Sequence, residues 1–351
     1  MKITEAIKKV VDRQDLTASE AEQVLEQIMT GLCTDAQIAS LLTALRMKGE
    51  TIAELTGFAR VMRRKAAPVQ PRLRVSAGMG GTEREALIDT CGTGGDVSGS
   101  FNISTAAAFV VAGCGVRVAK HGNRSVSSRC GSADVVEALG IKIELSPDQI
   151  AQCIDEVGIG FLHAPLLHDA MKYVALARKQ MGIRTIFNLL GPLTNPAGAN
   201  RQVIGVYRAS LTETLARVLG ELGSTRALVV HGSDGLDEIT ITCESKVTEL
   251  KDGQVHTYTV APEDFNLRRA TLAEIQGGDA RQNSRIILEV LEGKPGARRD
   301  IVLVNAAAGL VASGSANDFM AGIGLAAESI DTGKAMGKLQ QLIEFSNMGQ
   351  G

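Results

Sequence analysis

Short β-rich runs alternate with helical patterns through the middle of this chain. The β-rich runs cover residues 86–91, 116–119, 141–145, 203–207 and 227–231, and the helical patterns cover residues 104–112, 133–139 and 211–222. This alternation is typical of βαβ units built around a mainly parallel sheet. The sequence therefore predicts the α/β class, with a large domain whose central sheet is mainly parallel.

The C-terminal part departs from that pattern in one place. Residues 239–260 alternate between apolar and polar side chains, and the segment Lys-Asp-Gly-Gln at residues 251–254 can form the turn between two paired strands. We therefore expect a local antiparallel excursion there. Helical patterns return at residues 283–291, 305–312 and 339–345.

The first 66 residues follow a purely helical pattern. Thr17, Thr34 and Thr51 each stand three residues before a Glu or a Gln, which is the spacing of a helix capping box. Apolar residues recur behind each box at helical spacing. These residues therefore predict a small all-helical unit.

The chain is expected to divide into two domains. Residues 1–66 form the helical domain, joined by a helical segment near residues 165–185, and residues 67–351 form the α/β domain. Residues 67–82 contain two prolines and several glycines, which interrupt both periodicities, so we expect a connector there. Short helices are marginal on their own, so their apolar faces must also pack on another surface, for which a partner subunit is one candidate.

Charge and composition disfavour several functions. The chain has 37 Lys and Arg against 39 Asp and Glu, a net charge of -2, so we expect no overall attraction to nucleic acid or to anionic membranes. It has no Trp and only 3% aromatic residues, which disfavours binding by base stacking. No segment reaches the ~18 apolar residues of a membrane span. The six cysteines lie far apart without a Cys-x-x-Cys pair, which favours reduced thiols in a cytoplasmic protein.

The densest glycine signal is Cys-Gly-Thr-Gly-Gly-Asp at residues 91–96, between a β-rich run and a helix start near residues 102–104. Bare N–H groups and a helix N-terminus converge in such a loop, an arrangement that binds phosphate. The loop lacks the Lys of a Walker motif, and a dinucleotide fingerprint would need glycine at Val97. A nucleoside triphosphatase or a Rossmann dehydrogenase is thus disfavoured. A tight turn that needs positive φ is the structural alternative.

Polar side chains beside this loop favour the functional interpretation. Asn102, Ser104 and Thr105 stand at a helix start, where N-capping needs only one of them. The next β-rich run ends in Lys-His-Gly-Asn-Arg at residues 120–124, and Ser and Gly residues recur at 127–132. Such positions beyond the carboxyl ends of parallel strands are where α/β sheets bind ligands. Two anion-type loops on adjacent strands predict a ligand with two phosphate groups.

Two further groups could complete the site. Asp237 and Glu238 are adjacent carboxylates in a glycine-bounded loop after another β-rich run. Beside a polyphosphate they are suitable Mg²⁺ ligands, and otherwise they are ordinary surface acids. Arg178 and Arg184 lie on either side of a glycine and precede the turn Gly-Pro-Leu-Thr-Asn-Pro at 191–196. A guanidinium suits a planar carboxylate, although exposed helical arginines are common.

Together these motifs resemble the anthranilate phosphoribosyltransferase family over essentially the whole chain. The matching segments are CGTGGD (91–96), NIST (102–105), KHGNR (120–124), GSAD (131–134), RKQMGIRT (178–185), GPLTNP (191–196), SDGLDE (233–238), RRD (298–300), NAA (305–307) and IDTGKA (330–335). The resemblance implies transfer of 5-phosphoribose from phosphoribosyl pyrophosphate to the amine of anthranilate, in tryptophan biosynthesis. It further implies a fold of the nucleoside phosphorylase and phosphoribosyltransferase type, a site between the domains, Mg²⁺ with two ions expected, and a homodimer formed through the helical domain.

The resemblance also implies roles for individual residues. Those implied to bind phosphoribosyl pyrophosphate are Gly92, Thr93, Gly94, Gly95, Asp96, Asn102, Ser104, Thr105, Lys120 and Ser132. Those implied to bind anthranilate are Gly92, His121, Asn123, Arg178 and Pro192. Arg178 is implied to meet the carboxylate. Those implied to bind Mg²⁺ are Ser104, Asp237 and Glu238.

The implied reaction suits these groups. Cleavage of the bond between C1 and pyrophosphate leaves negative charge on the leaving group, which a metal ion and main-chain N–H groups stabilise. The anthranilate amine is a neutral nucleophile, so neither a covalent intermediate nor a strong base is needed. His121 as a proton acceptor is a secondary alternative.

Two other functions stay open. A pyrimidine nucleoside phosphorylase has a related fold and also holds phosphate on a glycine loop, but it should lack the carboxylate-binding arginine and the paired acids. A non-catalytic relative that binds nucleic acid is the second. Near-neutral charge, few aromatic residues and the full set of motifs weigh against it.

Overall fold

The structure is a computed structural model that describes residues 1–78, 81–94, 99–125 and 129–348. Its N-terminal part contains the helices α1 (Ile3–Val11), α2 (Ala18–Met29), α3 (Asp35–Lys48) and α4 (Ile52–Lys65). The three predicted capping boxes are confirmed, because each Thr hydroxyl accepts a hydrogen bond from the N–H three residues later, and the Glu or Gln side chain accepts one from the Thr N–H. The pairs are Thr17 with Glu20, Thr34 with Gln37, and Thr51 with Glu54.

The later helices are distributed between the strands and the C-terminus. They are α5 (Ile103–Gly113), α6 (Ser132–Ala138), α7 (Pro147–Glu156), α8 (Ala164–Leu167), α9 (Lys172–Met181), α10 (Phe187–Leu190), α11 (Leu211–Glu221), α12 (Ala280–Leu291), α13 (Ala297–Ser313), α14 (Phe319–Asp331) and α15 (Lys334–Asn347). Among the described residues, no helix combines the length and the apolar character that crossing a bilayer requires.

The helices α9 and α10 pack with the N-terminal helices although β-strands separate them in sequence. Val174 and Ala177 of α9 are buried in the same apolar cluster as α1–α4. The ring of Tyr173 lies against Gly31, where a Cβ atom would be 2.8 Å from Tyr173 Cε1. We refer to α1–α4 together with α8–α10 as the helical part.

The residues after α4 form more than a connector. β1 (Val75–Gly78) and β2 (Gly81–Arg84) pair antiparallel as a two-stranded sheet. The expectation of a plain connector at residues 67–82 is therefore wrong. Four-residue strands can pair even where prolines and glycines remove any clear periodicity from the sequence.

Three segments cross between the helical part and the sheet, and hydrogen bonds join them. The Ala67 N–H donates to the carbonyl oxygen of Leu167 at 2.8 Å, and the Val69 N–H donates to that of Pro196 at 3.1 Å. The first crossing is thus bonded to the last residue of α8, just beyond the second crossing, and to the third crossing, which leads into the next strand.

Seven strands form the central sheet of the described chain. They are β3 (Leu87–Gly92), β4 (Arg117–Gly122), β5 (Ile159–His163), β6 (Arg201–Gly205), β7 (Arg226–Gly232), β8 (Ser245–Lys251) and β9 (Gln254–Val260). Their order is β5-β4-β3-β6-β7-β8-β9. The strands β3 to β7 run parallel to one another, whereas β8 pairs antiparallel with β7 and with β9. The α/β class with a mainly parallel sheet is confirmed, as is the antiparallel excursion.

Different layers cover the two faces of the sheet. Side chains alternate along a strand, so Val203 and Ile204 of β6 point to opposite faces. Val203 belongs to the apolar cluster formed with α5, α12 and α13. Ile204 belongs to the cluster that contains α11 and the helical part. The helical part therefore shares one apolar core with this face of the sheet.

One predicted strand is wrong. Residues 141–145 form no strand, although Ile141, Ile143 and Leu145 are buried as their alternation suggests. The neighbour of β4 is instead β5, which the sequence analysis missed. Gly160 lies inside β5, and an internal glycine weakens the sequence signal of a strand.

Candidate functional site

Four adjacent strands end in glycine at one edge of the sheet. β3, β4, β6 and β7 end at Gly92, Gly122, Gly205 and Gly232, and Gly92 lies opposite Gly205 in the parallel ladder. Ligands of α/β sheets bind just outside such carboxyl ends. We call this row of strand ends the glycine edge. Because it carries no Cβ atoms, other groups can approach its main chain closely.

The loop that carries Asp237 lies directly over the glycine edge. A Cβ atom on Gly205 would overlap the Asp237 carbonyl oxygen, and one on Gly92 would overlap Asp237 Oδ2. The same Oδ2 accepts a hydrogen bond from the Gly94 N–H at 3.1 Å. The loop after β7 therefore reaches across β6 to β3 because positions 92 and 205 are glycine.

Glu238 reaches the beginning of α5. Its Oε1 accepts a hydrogen bond from the Ser104 N–H at 3.2 Å. The first amides of a helix have no acceptor within the helix, and phosphates bind to such amides. The adjacent carboxylates of Asp237 and Glu238 thus engage main-chain donors of both the glycine loop and α5.

Asp234 fixes the first half of the same loop. Its carboxylate accepts hydrogen bonds from the Leu236 N–H at 3.1 Å and from the hydroxyls of Thr240, at 2.6 Å, and Thr242. These bonds draw residues 234–242 into a compact loop. The position of the acidic pair is therefore set largely by the main chain that carries it.

Lys120 points from β4 into the interior beneath the glycine loop. The residue is 3% exposed, and its Nζ donates to the Thr90 carbonyl oxygen and, at 3.4 Å, to Ser104 Oγ. Burial raises the pKa of the neighbouring Asp89 carboxyl, and the charge of Lys120 opposes that rise. The structure thus brings together Lys120 and Ser104, two predicted ligands of phosphoribosyl pyrophosphate.

Asn102 precedes α5, but its side chain does not cap the helix. Its Nδ2 donates to the Cys130 carbonyl oxygen at 3.4 Å, and its Oδ1 accepts from Nδ2 of the buried Asn283 at 3.0 Å. Asn102 therefore joins the beginning of α5 to the loop that leads into α6 and to α12. The hydroxyl of Thr105, on the first turn of α5, is buried and has no hydrogen-bond partner among the described residues.

Ser132 and Asn123 are joined at the end of β4. Ser132 Oγ accepts a hydrogen bond from the Asn123 N–H at 3.2 Å and donates to the Asn123 carbonyl oxygen at 3.4 Å. The side chain of Asn123 is exposed and accepts a hydrogen bond from the Arg124 N–H at 2.7 Å. Ser132, which is predicted to bind phosphoribosyl pyrophosphate, is thus hydrogen-bonded to Asn123, which is predicted to bind anthranilate.

His121 and His168 form a buried pair of imidazoles. Their ring centroids are 5.2 Å apart, and His121 Nε2 and both ring nitrogens of His168 have no hydrogen-bond partner among the described residues. Burial, reinforced by His168, lowers the pKa of His121 to about 3, and burial lowers the pKa of His168 to about 4. Both rings are neutral at pH 7. The main chain of Gly191 hydrogen-bonds His121, which brings the turn with the buried Pro192 beside this pair.

Arg178 lies half-buried on α9, with its guanidinium carbon 5.4 Å from the centre of the Phe187 ring. Its guanidinium makes no hydrogen bond or ion pair with any residue that the structure describes. Burial lowers the pKa of this guanidinium. A partly desolvated cation without a counter-charge is a good receptor for a carboxylate. Arg178 forms no hydrogen bond with the other residues predicted to bind anthranilate.

Arg184 lies over the ring of Tyr207, whose main chain contacts the glycine loop. Its guanidinium carbon is 4.4 Å from the centre of the Tyr207 ring. The Tyr207 N–H donates to Thr93 Oγ1 at 3.3 Å, and the Thr93 N–H donates to the Gly205 carbonyl oxygen at 2.9 Å. Thr93 therefore binds the end of β6 through both its main chain and its hydroxyl.

Most predicted residues of the phosphate and metal side converge on the glycine edge, whereas Arg178 and Pro192 belong to the helical segments that precede β6. Gly95 and Asp96, and Ser127 and Ser128 of the second loop, lie outside the described residues.

Sequence reasoning did not assign His168, Asn283 or Asn305 to the site, although each contacts a predicted site residue or its loop. Asn305 had a usable signal, because it is the one polar residue in the otherwise apolar or small-residue run 301–312. A buried amide in such a run needs hydrogen-bond partners.

The donor atoms at this edge fit a Mg²⁺ ion. Asp237, Glu238 and Ser104 supply carboxylate and hydroxyl oxygens, which Mg²⁺ prefers. Within the described ranges, no three His, Cys, Asp or Glu side chains are grouped so as to enclose a metal ion. The donor set therefore suits an ion that keeps several waters and shares its coordination with substrate phosphates, as Mg²⁺ does.

Two family models match the chain, one for each part of the fold. The helical bundle domain of the glycosyl transferase family matches residues 4–66, and the a/b domain of the same family matches residues 84–336. Together they span most of the sequence.

Individual relatives agree with these matches. The anthranilate phosphoribosyltransferase of Moorella thermoacetica is 58% identical over 339 residues, which covers 97% of both chains. The crystal structure of the anthranilate phosphoribosyltransferase from Thermus thermophilus superposes with a TM-score of 0.89 at 40% identity, covering 97% of this chain and 99% of that one. The Saccharomyces cerevisiae enzyme in complex with PRPP and Mg has a TM-score of 0.87 at 27% identity, covering 98% of this chain and 97% of that one. The chain belongs to the anthranilate phosphoribosyltransferase family.

Proposed function

We propose that this chain transfers the 5-phosphoribosyl group of phosphoribosyl pyrophosphate to the amine of anthranilate at the glycine edge. The products are N-(5-phosphoribosyl)anthranilate and pyrophosphate, and the step belongs to tryptophan biosynthesis. The observation that carries the proposal is that two adjacent carboxylates accept hydrogen bonds from N–H groups suited to binding phosphate. Asp237 accepts from the Gly94 N–H, and Glu238 accepts from the Ser104 N–H. A site of this kind serves a polyphosphate bound with metal.

The donor substrate lies along the ends of β3 and β4 in this proposal. Main-chain N–H groups of the glycine loop and of α5 bind the pyrophosphate, and Lys120 adds a positive charge from beneath. The residues we assign to it are Gly92, Thr93, Gly94, Gly95, Asp96, Asn102, Ser104, Thr105, Lys120 and Ser132. Two observations support this assignment: the hydroxyl of Thr105 has no partner among the residues that the structure describes, and Lys120 converges on Ser104.

Asp237, Glu238 and Ser104 hold the metal in this proposal. Mg²⁺ at these oxygens supplies positive charge that neutralises the pyrophosphate as it leaves. We infer two ions, one beside Ser104 and one on the acidic pair. With the metal bound, the two carboxylates would give up their hydrogen bonds to the N–H groups of Gly94 and Ser104, and those N–H groups would then be open to phosphate oxygens.

Anthranilate binds between the glycine edge and the helical part. Arg178 meets its carboxylate, and Gly92, His121, Asn123 and Pro192 line its approach. The supporting observations are that no described residue balances the charge of Arg178, and that the neutral imidazole of His121 has no hydrogen-bond partner at Nε2 among the described residues. With a pKa of about 3, His121 is too weak a base to hold a proton in the resting enzyme. We therefore assign it to hydrogen bonding and shape.

The same proposal includes the domain division and a homodimer. Residues 1–66 with the segment near 165–185 form the helical domain, and residues 67–351 form the α/β domain.

Leu32, Tyr173 and Leu176 expose apolar side chains on the helical part, and such a surface fits a second copy of the chain. Light scattering should give twice the mass of 37.0 kDa, and Leu176→Glu should reduce it.

The deciding experiment mixes purified protein with anthranilate, phosphoribosyl pyrophosphate and Mg²⁺. Anthranilate fluorescence should fall and pyrophosphate should appear, and both changes should require all three components. Phosphorolysis of thymidine or uridine without anthranilate consumption would instead assign the chain to the nucleoside phosphorylases. Retention on DNA that depends on salt, without either activity, would favour a non-catalytic relative.

A further inference from the structure

A buried amide on α13 holds the main chain next to the acidic pair. Asn305 is 2% exposed. Its Oδ1 accepts a hydrogen bond from the Ile239 N–H at 3.0 Å, and its Nδ2 donates to the Ile239 carbonyl oxygen at 2.9 Å. Ile239 directly follows Glu238. One side chain, 66 positions further along the chain, thus satisfies both polar main-chain groups of the residue that directly follows the pair.

The support for this amide is rigid. Asn305 Nδ2 also donates to the Ile301 carbonyl oxygen at 2.9 Å, so its orientation is fixed from within α13. The helix itself is buried along most of its length and packs on β3, β6 and β7. Those three strands include the two whose glycines lie beneath Asp237. The loop is therefore clamped between Asn305 on one side and the glycine edge on the other.

We propose that Asn305 is a positioning residue that sets where the carboxylates of Asp237 and Glu238 stand for metal binding. This inference rests on the proposed function, because it takes the two carboxylates as Mg²⁺ ligands. Asn305 touches neither substrate nor metal in this arrangement, and acts through the main chain of Ile239. Groups that orient metal ligands in this way commonly change metal affinity by 10- to 100-fold when they are removed.

A merely structural role would have different consequences. Loss of buried hydrogen bonds lowers the stability of any protein, but it does not by itself change the affinity of a folded protein for a metal. If Asn305 positions the acidic pair, its loss lowers the affinity for the metal and leaves anthranilate binding unchanged. The reason is that Arg178 and His121 lie on elements that Asn305 does not contact through hydrogen bonds.

The test measures Mn²⁺ binding by electron paramagnetic resonance, with phosphoribosyl pyrophosphate present and anthranilate absent, so that no turnover occurs. Asn305→Ala removes all three hydrogen bonds. Val304→Ala on the same helix is the matched control, because it removes buried apolar atoms and no polar contact. We expect the Mn²⁺ dissociation constant to rise about tenfold or more for Asn305→Ala and less than twofold for Val304→Ala. In steady-state assays the KM for anthranilate should change less than twofold in both variants.

Each other outcome counts against the proposal. Equal Mn²⁺ affinity in wild type and Asn305→Ala, or an equal loss in both variants, overturns it. If Asn305→Ala does not fold, Asn305→Leu, which fills the volume without hydrogen bonds, is measured by the same criterion, and failure of both to fold assigns Asn305 a structural role alone. Absence of turnover in the wild type would instead overturn the proposed function, which separates the two failures.

Discussion

The half-buried Arg178 carries a charge that no described residue balances. Its guanidinium has lost part of its hydration, which lowers its pKa, and a bound carboxylate would restore the lost interactions. Hydrogen bonds to charged groups contribute roughly 1.5–3 kcal/mol. At the scale of single residues, this arginine is therefore the strongest candidate for substrate discrimination.

We expect Arg178→Ala to raise the KM for anthranilate by about 10- to 100-fold, with much less effect on the KM for phosphoribosyl pyrophosphate. The control is Lys179→Ala, which removes the neighbouring exposed cation and should change neither constant more than about twofold. Initial rates over a two-dimensional grid of substrate concentrations give both constants. Equal increases for the two substrates would exclude a carboxylate clamp.

The acidic pair gives a second prediction at this scale. Asp237→Asn combined with Glu238→Gln keeps the shape of both side chains but removes both charges. The Mg²⁺ concentration for half-maximal rate should rise by at least about tenfold. Asp252→Asn, in the exposed turn between β8 and β9, is the control. Unchanged metal dependence in the double variant would remove the pair from the metal site.

Individual site residues could be predicted from the sequence where they belong to a local motif. The glycine loop, the polar start of α5 and the residues after β4 stand beside strand ends, where the sequence pattern itself indicates a ligand. Asn305 and Asn283 could not be assigned in this way, because their partners are 66 and 181 positions distant. A side-chain bond across such a separation leaves no periodic trace in the sequence.

At the scale of elements, the glycine edge determines how close the acidic loop can come. A methyl group at position 205 would overlap the Asp237 carbonyl oxygen. We expect Gly205→Ala to lower the free energy of unfolding by about 1–3 kcal/mol, as overpacking does, and to weaken metal binding by displacing the loop. Denaturant unfolding and Mn²⁺ titration test the two effects.

The control for this substitution is Gly324→Ala in α14. Gly324 is exposed, and no described atom beyond the adjacent residues and the helix's own main chain lies within 4 Å of a Cβ atom built there. Replacing a helical glycine by alanine stabilises a helix by roughly 1 kcal/mol, so the two variants should move stability in opposite directions. If Gly205→Ala changed neither the free energy of unfolding nor Mn²⁺ binding, the loop that carries Asp237 would not need its close approach to the main chain at position 205.

The elements themselves were predicted unevenly, for a physical reason. The capping boxes of α2, α3 and α4 were found because the bonds that begin a helix span only three residues. Residues 141–145 were mistaken for a strand because alternating burial looks the same whether or not a ladder partner exists. Strand pairing is decided by distant residues, and here β5 takes the place beside β4.

At the scale of the whole molecule, two neutral imidazoles buried together make stability depend on pH. The pKa values of about 3 for His121 and about 4 for His168 lie below the 6.5 expected in an unfolded chain. Between pH 6.5 and 4 the unfolded chain therefore binds more protons at these positions, so the free energy of unfolding falls as the pH falls. The raised pKa of Asp89 acts in the opposite direction at the acid end.

We expect each histidine to contribute a slope of up to about 1.4 kcal/mol per pH unit below pH 6.5, and no slope above pH 8. His168→Gln should make the slope shallower, whereas His256→Gln, on an exposed position of β9, should not. Urea unfolding at several pH values between 5 and 8 measures the slopes. Parallel curves for wild type and His168→Gln would show that His168 is not buried in its neutral form.

The three chain crossings described above have a mechanical consequence. Ala67 is bonded to Leu167, and Val69 is bonded to Pro196, so the crossings lie side by side along one short line. A rotation of the helical part about such a line would have to open the apolar core that it shares with the sheet. Such a rotation would break the hydrogen bonds that Arg63 donates to the carbonyl oxygens of Leu193 and Leu222, at 2.8 and 3.0 Å. Under the proposed function, the angle about this line would set the gap between Arg178 and the glycine loop.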